Sequence, residues 1–335
     1  MKAVIIGAGN IAKTIHINAY QSEHIEISAI SDIHVDVAKK VAEEFKIPNV
    51  YQDYQEMINI EKPDIVSVCT PNKFHFEQSI YAMEHHAHVF CEKPPATHFK
   101  DALTMHETAL KNNVKLAFNF HHRYRGEVDA FVNWNLLNTP YFIEVNAIRR
   151  LGIPGWGVFT NRELQGGGAL IDFGIHMLDL ALYLLKNPKP KFLIANTYDA
   201  IGLKGGEGSF GSWDGQTFTV EDGCFAQIVF ENNVSMQLKT TFALCTDKPE
   251  LNIKMFAENS GITLIPLETH EGLNSDQLIE FEPHNFAQLA LKTFIRHLLD
   301  ESVLCRTLSD SVLLTQKLIE AIYISAKTQE PFYFE

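Results

Sequence analysis
The sequence predicts an α/β protein in two parts: a doubly wound parallel sheet, then a mostly antiparallel sheet with one face under helices. Three observations predict it. Short apolar runs alternate with helix-spaced segments over the first 120 residues, period-2 runs joined by short turns take over from about residue 140, and 335 residues suffice for about two domains.

In chain order, Ala3-Val-Ile-Ile6 is a continuous apolar run of the kind a strand buried on both faces requires. Gly7-Ala-Gly9 then opens a helix to about residue 21, and 25–30 reads as a second strand. Val37, Ala38, Val41, Ala42 and Phe45 recur at helical spacing. A buried strand at 65–69, a helix at 73–85, the strand His88–Cys91, a helix at 98–112 and a strand at 114–118 continue the alternation that a parallel sheet demands. Beyond it, Ile143, Val145 and Ala147 alternate with Phe142, Glu144, Asn146 and Ile148, and Val234 to Phe242 alternates more cleanly. Glu231-Asn-Asn233 is a turn joining that strand to 219–230, and a further strand starts at Leu251. Helices at 169–185, 283–299 and 309–327 are expected to cover this sheet. The Gly-rich, aperiodic stretch 203–217 reads as a long mobile loop. The predicted boundary divides 1–121 from 122–335.

Composition narrows the function. Apolar residues make up 46% and charged residues 21%, an ordinary globular balance, and the net charge of −13 without a basic run argues against nucleic acid as a partner. The N-terminal apolar run stops at Gly7, too short for a signal peptide. The apolar stretch 168–185 contains Asp172, His176 and Asp179, which argues against a membrane span. Five scattered cysteines without C-x-x-C spacing fit a reducing cytoplasm.

Four motifs carry chemistry. Gly7-Ala8-Gly9-Asn10-Ile11-Ala12 is G-x-G-x-x-A between a strand and a helix. It suits a pyrophosphate on a helix N-terminus, though glycines also mark ordinary strand-to-helix turns. Asp32, twenty residues after Ala12, suits either ribose hydroxyls or a helix N-cap, and the absence of a nearby arginine favours NAD over NADP. Thr70-Pro71-Asn72 with His75, and Glu92-Lys93-Pro94, follow two buried strands, whose carboxyl ends are where open parallel sheets bind ligands. Lys93 also reads as a solvated loop lysine. Finally, Asp172 and His176 in Gly166-Gly-Gly-Ala-Leu-Ile-Asp172-Phe-Gly-Ile-His176 stand one helical turn apart, a spacing that suits proton transfer or a structural pair. No third ligand at a recognisable spacing joins them, so no metal site is expected.

In this order and spacing G-A-G-N-I-A, T-P-N-x-x-H, E-K-P and G-G-G-A-L-I-D-F-G-I-H-M-L-D resemble the motifs of the Gfo/Idh/MocA oxidoreductases, across essentially the whole chain. The resemblance implies a Rossmann domain followed by an α/β domain with a large, open, mostly antiparallel sheet that serves a homodimer or homotetramer. It implies hydride transfer between NAD and a sugar, polyol or sugar-derivative carbinol carbon. By the same resemblance Lys93 holds the substrate hydroxyl beside the nicotinamide, His176 takes its proton and Asp172 positions both. Gly7 to Ile11, Asp32, Thr70 to Asn72, His75, Glu92 and Lys93 form the expected cofactor edge. His122, Arg123, Tyr124, Trp156 and Arg162 join Lys93, Asp172 and His176 as expected substrate contacts. Relatives in the same family imply two alternatives, an NAD-dependent glycosidase working by transient C3 oxidation and a non-enzymatic dinucleotide-binding regulator.

Overall fold
The computed structural model describes residues 1–134, 139–272, 275–279 and 285–335. They form two units, one of residues 1–124 with 285–313 and one of residues 125–284 with 314–335.

In the first unit six strands form one parallel sheet: β1 (Lys2–Ile6), β2 (Glu26–Ser31), β3 (Asn49–Tyr51), β4 (Ile65–Val68), β5 (His88–Cys91) and β6 (Leu116–Phe118). Their order is β3-β2-β1-β4-β5-β6, the doubly wound arrangement. The chain reverses direction across the sheet between β1 and β4, which places the first crossover helix and its glycines at the switch point. β1 and β4 are wholly apolar apart from Lys2 and Ser67, as strands covered on both faces require. β3 was not expected, because three half-exposed residues carry no periodic signal.

Two expectations need correction here. The boundary falls after Tyr124, and the helix Leu289–Leu299 belongs to this unit rather than to the antiparallel sheet. Its Ala290, Leu291, Phe294 and Ile295 are fully buried in one core with Ile5, Ile17, Tyr20, Ile30 and Phe90. Each such large side chain contributes about 1.5–3 kcal/mol by leaving water. An amphipathic helix states that it has an apolar face, but not which sheet will cover it. Residues 283–284 of the expected helix lie outside the described residues.

The second unit carries β7 (Phe142–Ile148), β8 (Pro190–Tyr198), β9 (Gly206–Gly208), β10 (Gly211–Trp213), β11 (Gly223–Phe230), β12 (Ser235–Thr241), β13 (Glu250–Phe256), β14 (Ser260–Thr263), β15 (Glu268–Glu271), β16 (Ser275–Leu278) and β17 (Phe332–Tyr333). Nine of them form one sheet in the order β16-β15-β14-β13-β7-β12-β11-β8-β17, antiparallel throughout except where β7 meets β12. Asn233 has φ +61, and Phe230 and Val234 close the hairpin expected at 231–233. One face is dry, with Ile143, Val145, Ile228, Met236, Leu238 and Ile253 fully buried. Glu144, Gln227, Gln237, Lys239 and Lys254 are half-exposed on the other, beside a stacked Phe142–Phe256 pair.

The stretch 203–217 is not an irregular loop. β9 and β10 pair as a hairpin, and Trp213 is buried with its indole N–H on the Gly202 carbonyl at 2.9 Å. A short glycine-rich hairpin has too little side-chain alternation to be read as strand. The segment Arg162–Leu184 has the length and hydropathy to cross a bilayer, but 72% of its most apolar window is buried inside the protein.

Candidate active site
The cofactor edge of the first unit is built on backbone geometry. Gly7 has φ +94, and a Cβ there would meet the Cys69 carbonyl oxygen at 2.6 Å, so only glycine lets β1 turn against β4. At Gly9 a Cβ would meet nothing within 4 Å, which leaves the backbone open to a pyrophosphate. Ala12 is fully buried and begins a π-helical turn, Ala12–Ile17, that continues into the α-helix Asn18–Ser22. Asp32 accepts from the Ala8 N–H at 2.9 Å and from the His34 N–H at 2.8 Å, tying the glycine turn to the end of β2.

Behind this edge lies a buried polar network that the motifs did not reveal. His16, four residues past Ala12, is fully buried; its Nε2–H donates to Glu92 Oε1 at 2.8 Å and its Nδ1 meets the Ser67 hydroxyl at 2.9 Å. Ser67 also meets the Tyr20 hydroxyl at 2.8 Å, and Asn119 donates to Glu92 Oε1 at 2.7 Å. The Lys93 N–H reaches Glu92 Oε2 at 3.3 Å. Burial alone would raise the Glu92 carboxyl. The hydrogen bond and charge of His16, then Asn119 and the Lys93 cation, outweigh it and hold Glu92 below the ordinary glutamate value. His75 is fully buried too, with Nδ1 2.8 Å from the Pro94 carbonyl and Nε2 2.8 Å from the Thr70 carbonyl. It clamps the Thr70-Pro71-Asn72 turn to the Glu92-Lys93-Pro94 turn, and burial pushes its pKa down.

The side chains of His75 and Glu92, both expected at the cofactor, make these bonds inside the protein and support the edge from behind. The Thr70 hydroxyl is likewise held, on Gln78 at 2.6 Å. Lys93 stays partly exposed on the clamped turn.

Arg123 and Tyr124, expected at the substrate, also take other work. Arg123 is fully buried, with Nη1 on the Arg306 carbonyl at 2.6 Å and the Ser311 hydroxyl at 2.8 Å, and Nη2 on the Ser311 carbonyl at 3.1 Å. The Tyr124 hydroxyl accepts from the Arg306 N–H at 2.8 Å. Both fasten the returning segment 305–311 to the first unit. A basic–aromatic pair after a Rossmann strand reads the same whether it faces ligand or chain. The His122 ring lies 4.8 Å from that of His121, tilted by 33°, and both rings pack near Phe286.

In the second unit Asp172 lies in a π-helical turn, Leu170–Gly174, that runs into the helix Ile175–Leu184 carrying His176. Such turns are often found at functional sites. Gly174 is required by packing, since a Cβ there would meet Thr240 of β12 at 2.7 Å. Both side chains are half-buried. Arg149, just past the end of β7, stands beside this turn, and the motifs did not point to it. Its guanidinium lies 3.9 Å over the Phe173 ring and 4.8 Å over Phe210 of the hairpin. Burial pushes its pKa down, and the charge of Asp172 opposes that. A single arginine after a strand gives no sequence signal; its aromatic neighbours Phe173, Phe210 and Phe242 come from three separate segments. Trp156 is half-exposed, edge-on to Phe210 at 5.3 Å. Arg162 donates from Nε to the Thr219 carbonyl at 3.0 Å and from Nη2 to Glu221 at 3.4 Å.

Comparison with known proteins agrees with this architecture. Residues 1–120 match the oxidoreductase family with an NAD-binding Rossmann fold, and residues 128–262 match the GFO/IDH/MocA C-terminal domain. The chain is 37% identical over 337 residues to D-glucoside 3-dehydrogenase of Escherichia coli K12, covering 98% of this chain and 96% of that protein. It is 28% identical over 189 residues to myo-inositol 2-dehydrogenase of Thermotoga maritima, covering 55% of each. Among solved structures, aldose-aldose oxidoreductase from Caulobacter crescentus superposes with a TM-score of 0.82 at 22% identity, covering 100% of this chain and 99% of that one. The glycine turn, the parallel strand order, the Asp172–His176 helix and the full-length match lead to one conclusion: this chain belongs to the Gfo/Idh/MocA family of oxidoreductases.

Proposed function
We propose that the protein is an NAD-dependent dehydrogenase or reductase acting on a secondary hydroxyl of a D-glucoside or closely related sugar. The observation that carries this reading is the near full-length likeness to D-glucoside 3-dehydrogenase in a chain that holds Lys93, Asp172 and His176. The space where a Gly9 Cβ would stand is clear to 4 Å, which fits a pyrophosphate against that backbone, and Gly7 to Ile11, Asp32, Thr70 to Asn72 and Lys93 would hold the dinucleotide. The Asp32 carboxylate would receive ribose hydroxyls and repel a 2′-phosphate, which favours NAD over NADP. Bound nicotinamide supplies a hydride acceptor, or a donor in the reverse direction.

The chain's own groups do the rest. Lys93 holds the substrate hydroxyl and favours its oxyanion. His176 takes the hydroxyl proton as hydride leaves the same carbon, and Asp172 orients the imidazole. The half-exposed face of the large sheet is the surface we assign to a homodimer or homotetramer, and the cytoplasm is the assigned compartment.

Thermal-shift titration with NAD and NADP, then absorbance of reduced nicotinamide against a panel of glucosides and polyols, tests the reading. Stabilisation by NAD and reduced cofactor on a glucoside are expected. Aglycone release without net reduction would replace the dehydrogenase with a glycosidase, and cofactor-free protein that binds neither nucleotide would overturn the reading entirely.

A further inference from the structure
The helix that carries Asp172 and His176 is held at its N-terminus by a residue from another part of the sequence. Glu221, just ahead of β11, is buried, and its Oε1 accepts from the Gly168 N–H at 2.9 Å, the Leu170 N–H at 3.1 Å and the Tyr323 hydroxyl at 2.8 Å. Its main-chain carbonyl accepts from the Ala169 N–H at 3.1 Å. Three consecutive amides, which a helix start leaves without intrahelical partners, thus close on one residue about fifty positions away. An ordinary N-cap is local and fixes only the helix end. This one fixes the helix to β11 and to the C-terminal helix Leu313–Thr328, which carries Tyr323.

The glycine run supplies a second, independent observation. A Cβ on Gly167 would lie 2.0 Å from the Tyr323 hydroxyl oxygen, and one on Gly168 would lie 2.1 Å from the Glu221 carbonyl oxygen. The Gly166-Gly-Gly168 run is therefore the imprint of this anchor, because any side chain at 167 or 168 would push the helix off Glu221 and Tyr323. The Thr240 hydroxyl adds a contact from β12, donating to the Ala169 carbonyl at 3.1 Å. Asp172 stands two residues past the last anchored amide, and its own N–H donates to the Gly168 carbonyl at 2.9 Å. A shift of the anchor is passed directly to Asp172 and, one turn later, to His176.

We propose that Glu221, with Tyr323, is a positioning residue for the Asp172–His176 pair, setting where that pair stands for proton transfer. The proposal rests on the dehydrogenase reading above. Glu221→Ala, Glu221→Gln and Tyr323→Phe are compared in the full-length enzyme with NAD and methyl β-D-glucoside, alongside amide hydrogen exchange. A displacement of about 1 Å can lower turnover about 10²-fold, and that loss of kcat is expected for Glu221→Ala, with the KM for NAD changed less than about twofold. Glu221→Gln keeps an oxygen for the Gly168, Leu170 and Tyr323 donors while giving up the longer Arg162 contact, and should retain kcat within about fivefold, while Tyr323→Phe, which removes one hydroxyl, should fall between the two. Exchange should quicken at 166–176 in Glu221→Ala and stay unchanged in the helix Leu289–Leu299.

Near-normal kcat in Glu221→Ala or Tyr323→Phe, or equal losses in the Gln and Ala variants, would overturn the proposal. So would faster exchange spread evenly over the second unit. A wild-type enzyme that turns over no glucoside overturns the dehydrogenase reading and this role with it, an outcome distinct from active wild type with an indifferent Glu221.

Discussion
The two units each hang their chemistry on a buried carboxylate, and the two carboxylates are set in opposite ways. Glu92 in the first unit receives His16 and Asn119 and is held below the ordinary glutamate value. Glu221 in the second unit receives two backbone amides and a tyrosine hydroxyl, with Arg162 at 3.4 Å, and burial dominates, raising it. At Glu92 the bonds of His16 and Asn119 and the Lys93 cation outweigh burial, whereas at Glu221 burial outweighs two amides, a tyrosine hydroxyl and a longer arginine contact. The two anchors therefore respond to pH in opposite directions.

The hardest test of that contrast is to remove the charge-compensated one. Glu92→Leu leaves His16 and Asn119 facing an apolar side chain and should destabilise the first unit by about 3–5 kcal/mol, measured by urea denaturation. A loss below about 1 kcal/mol would show that the network is not held by its charge.

Lys93→Ala separates the anchor from what it carries. NAD affinity should stay within about a few-fold while turnover falls on the order of 10²-fold. Near-normal turnover removes Lys93 from the chemistry and leaves the network as framework.

Asp32→Ala should weaken NAD about tenfold and narrow its preference over NADP, read by nucleotide titration, since hydrogen bonds to a charged group contribute about 1.5–3 kcal/mol. Unchanged preference would restrict Asp32 to its observed bonds with Ala8 and His34.

The smallest expected effect is the difference in pH response. The stability that Glu92 contributes is full above the ordinary glutamate value of 4.5 and is lost as pH falls through its lower folded value. Glu221 binds its proton more tightly in the folded protein, so stability declines as pH rises from 4.5 through its raised value. The stability of wild type minus that of Glu92→Gln should therefore shrink with acid, and wild type minus Glu221→Gln should shrink with base. Parallel slopes would erase the distinction.

Much of this was legible in the sequence. Apolar runs placed β1 and β4 within a residue, because a strand covered on both faces must be apolar on both, and the strand–helix alternation placed β2 and β5 as closely. Gly7, Lys93, Asp172 and His176 stand where their motifs put them, at strand ends or on the expected helix. What stayed hidden depends on distant partners. His16 meets Glu92 across 76 residues, and Glu221 meets Tyr323 across 102, distances over which no local pattern operates. The bonds of Arg123 and Tyr124 to 305–311 were equally hidden, because those partners return more than 180 residues on.

That return has a consequence for how the protein comes off the ribosome. The parallel sheet's core is closed by Phe294 and Ile295, and its last strand is bonded through the Phe118 N–H to the Thr307 carbonyl. Residues 1–124 carry an open apolar surface until residues 285–311 have been made. Nascent unit one must therefore wait, exposed, while the sequence of its neighbour is synthesised. The two units are thus tied in time as well as in sequence, and a gene fragment ending after the Rossmann strands would encode a core with one wall missing.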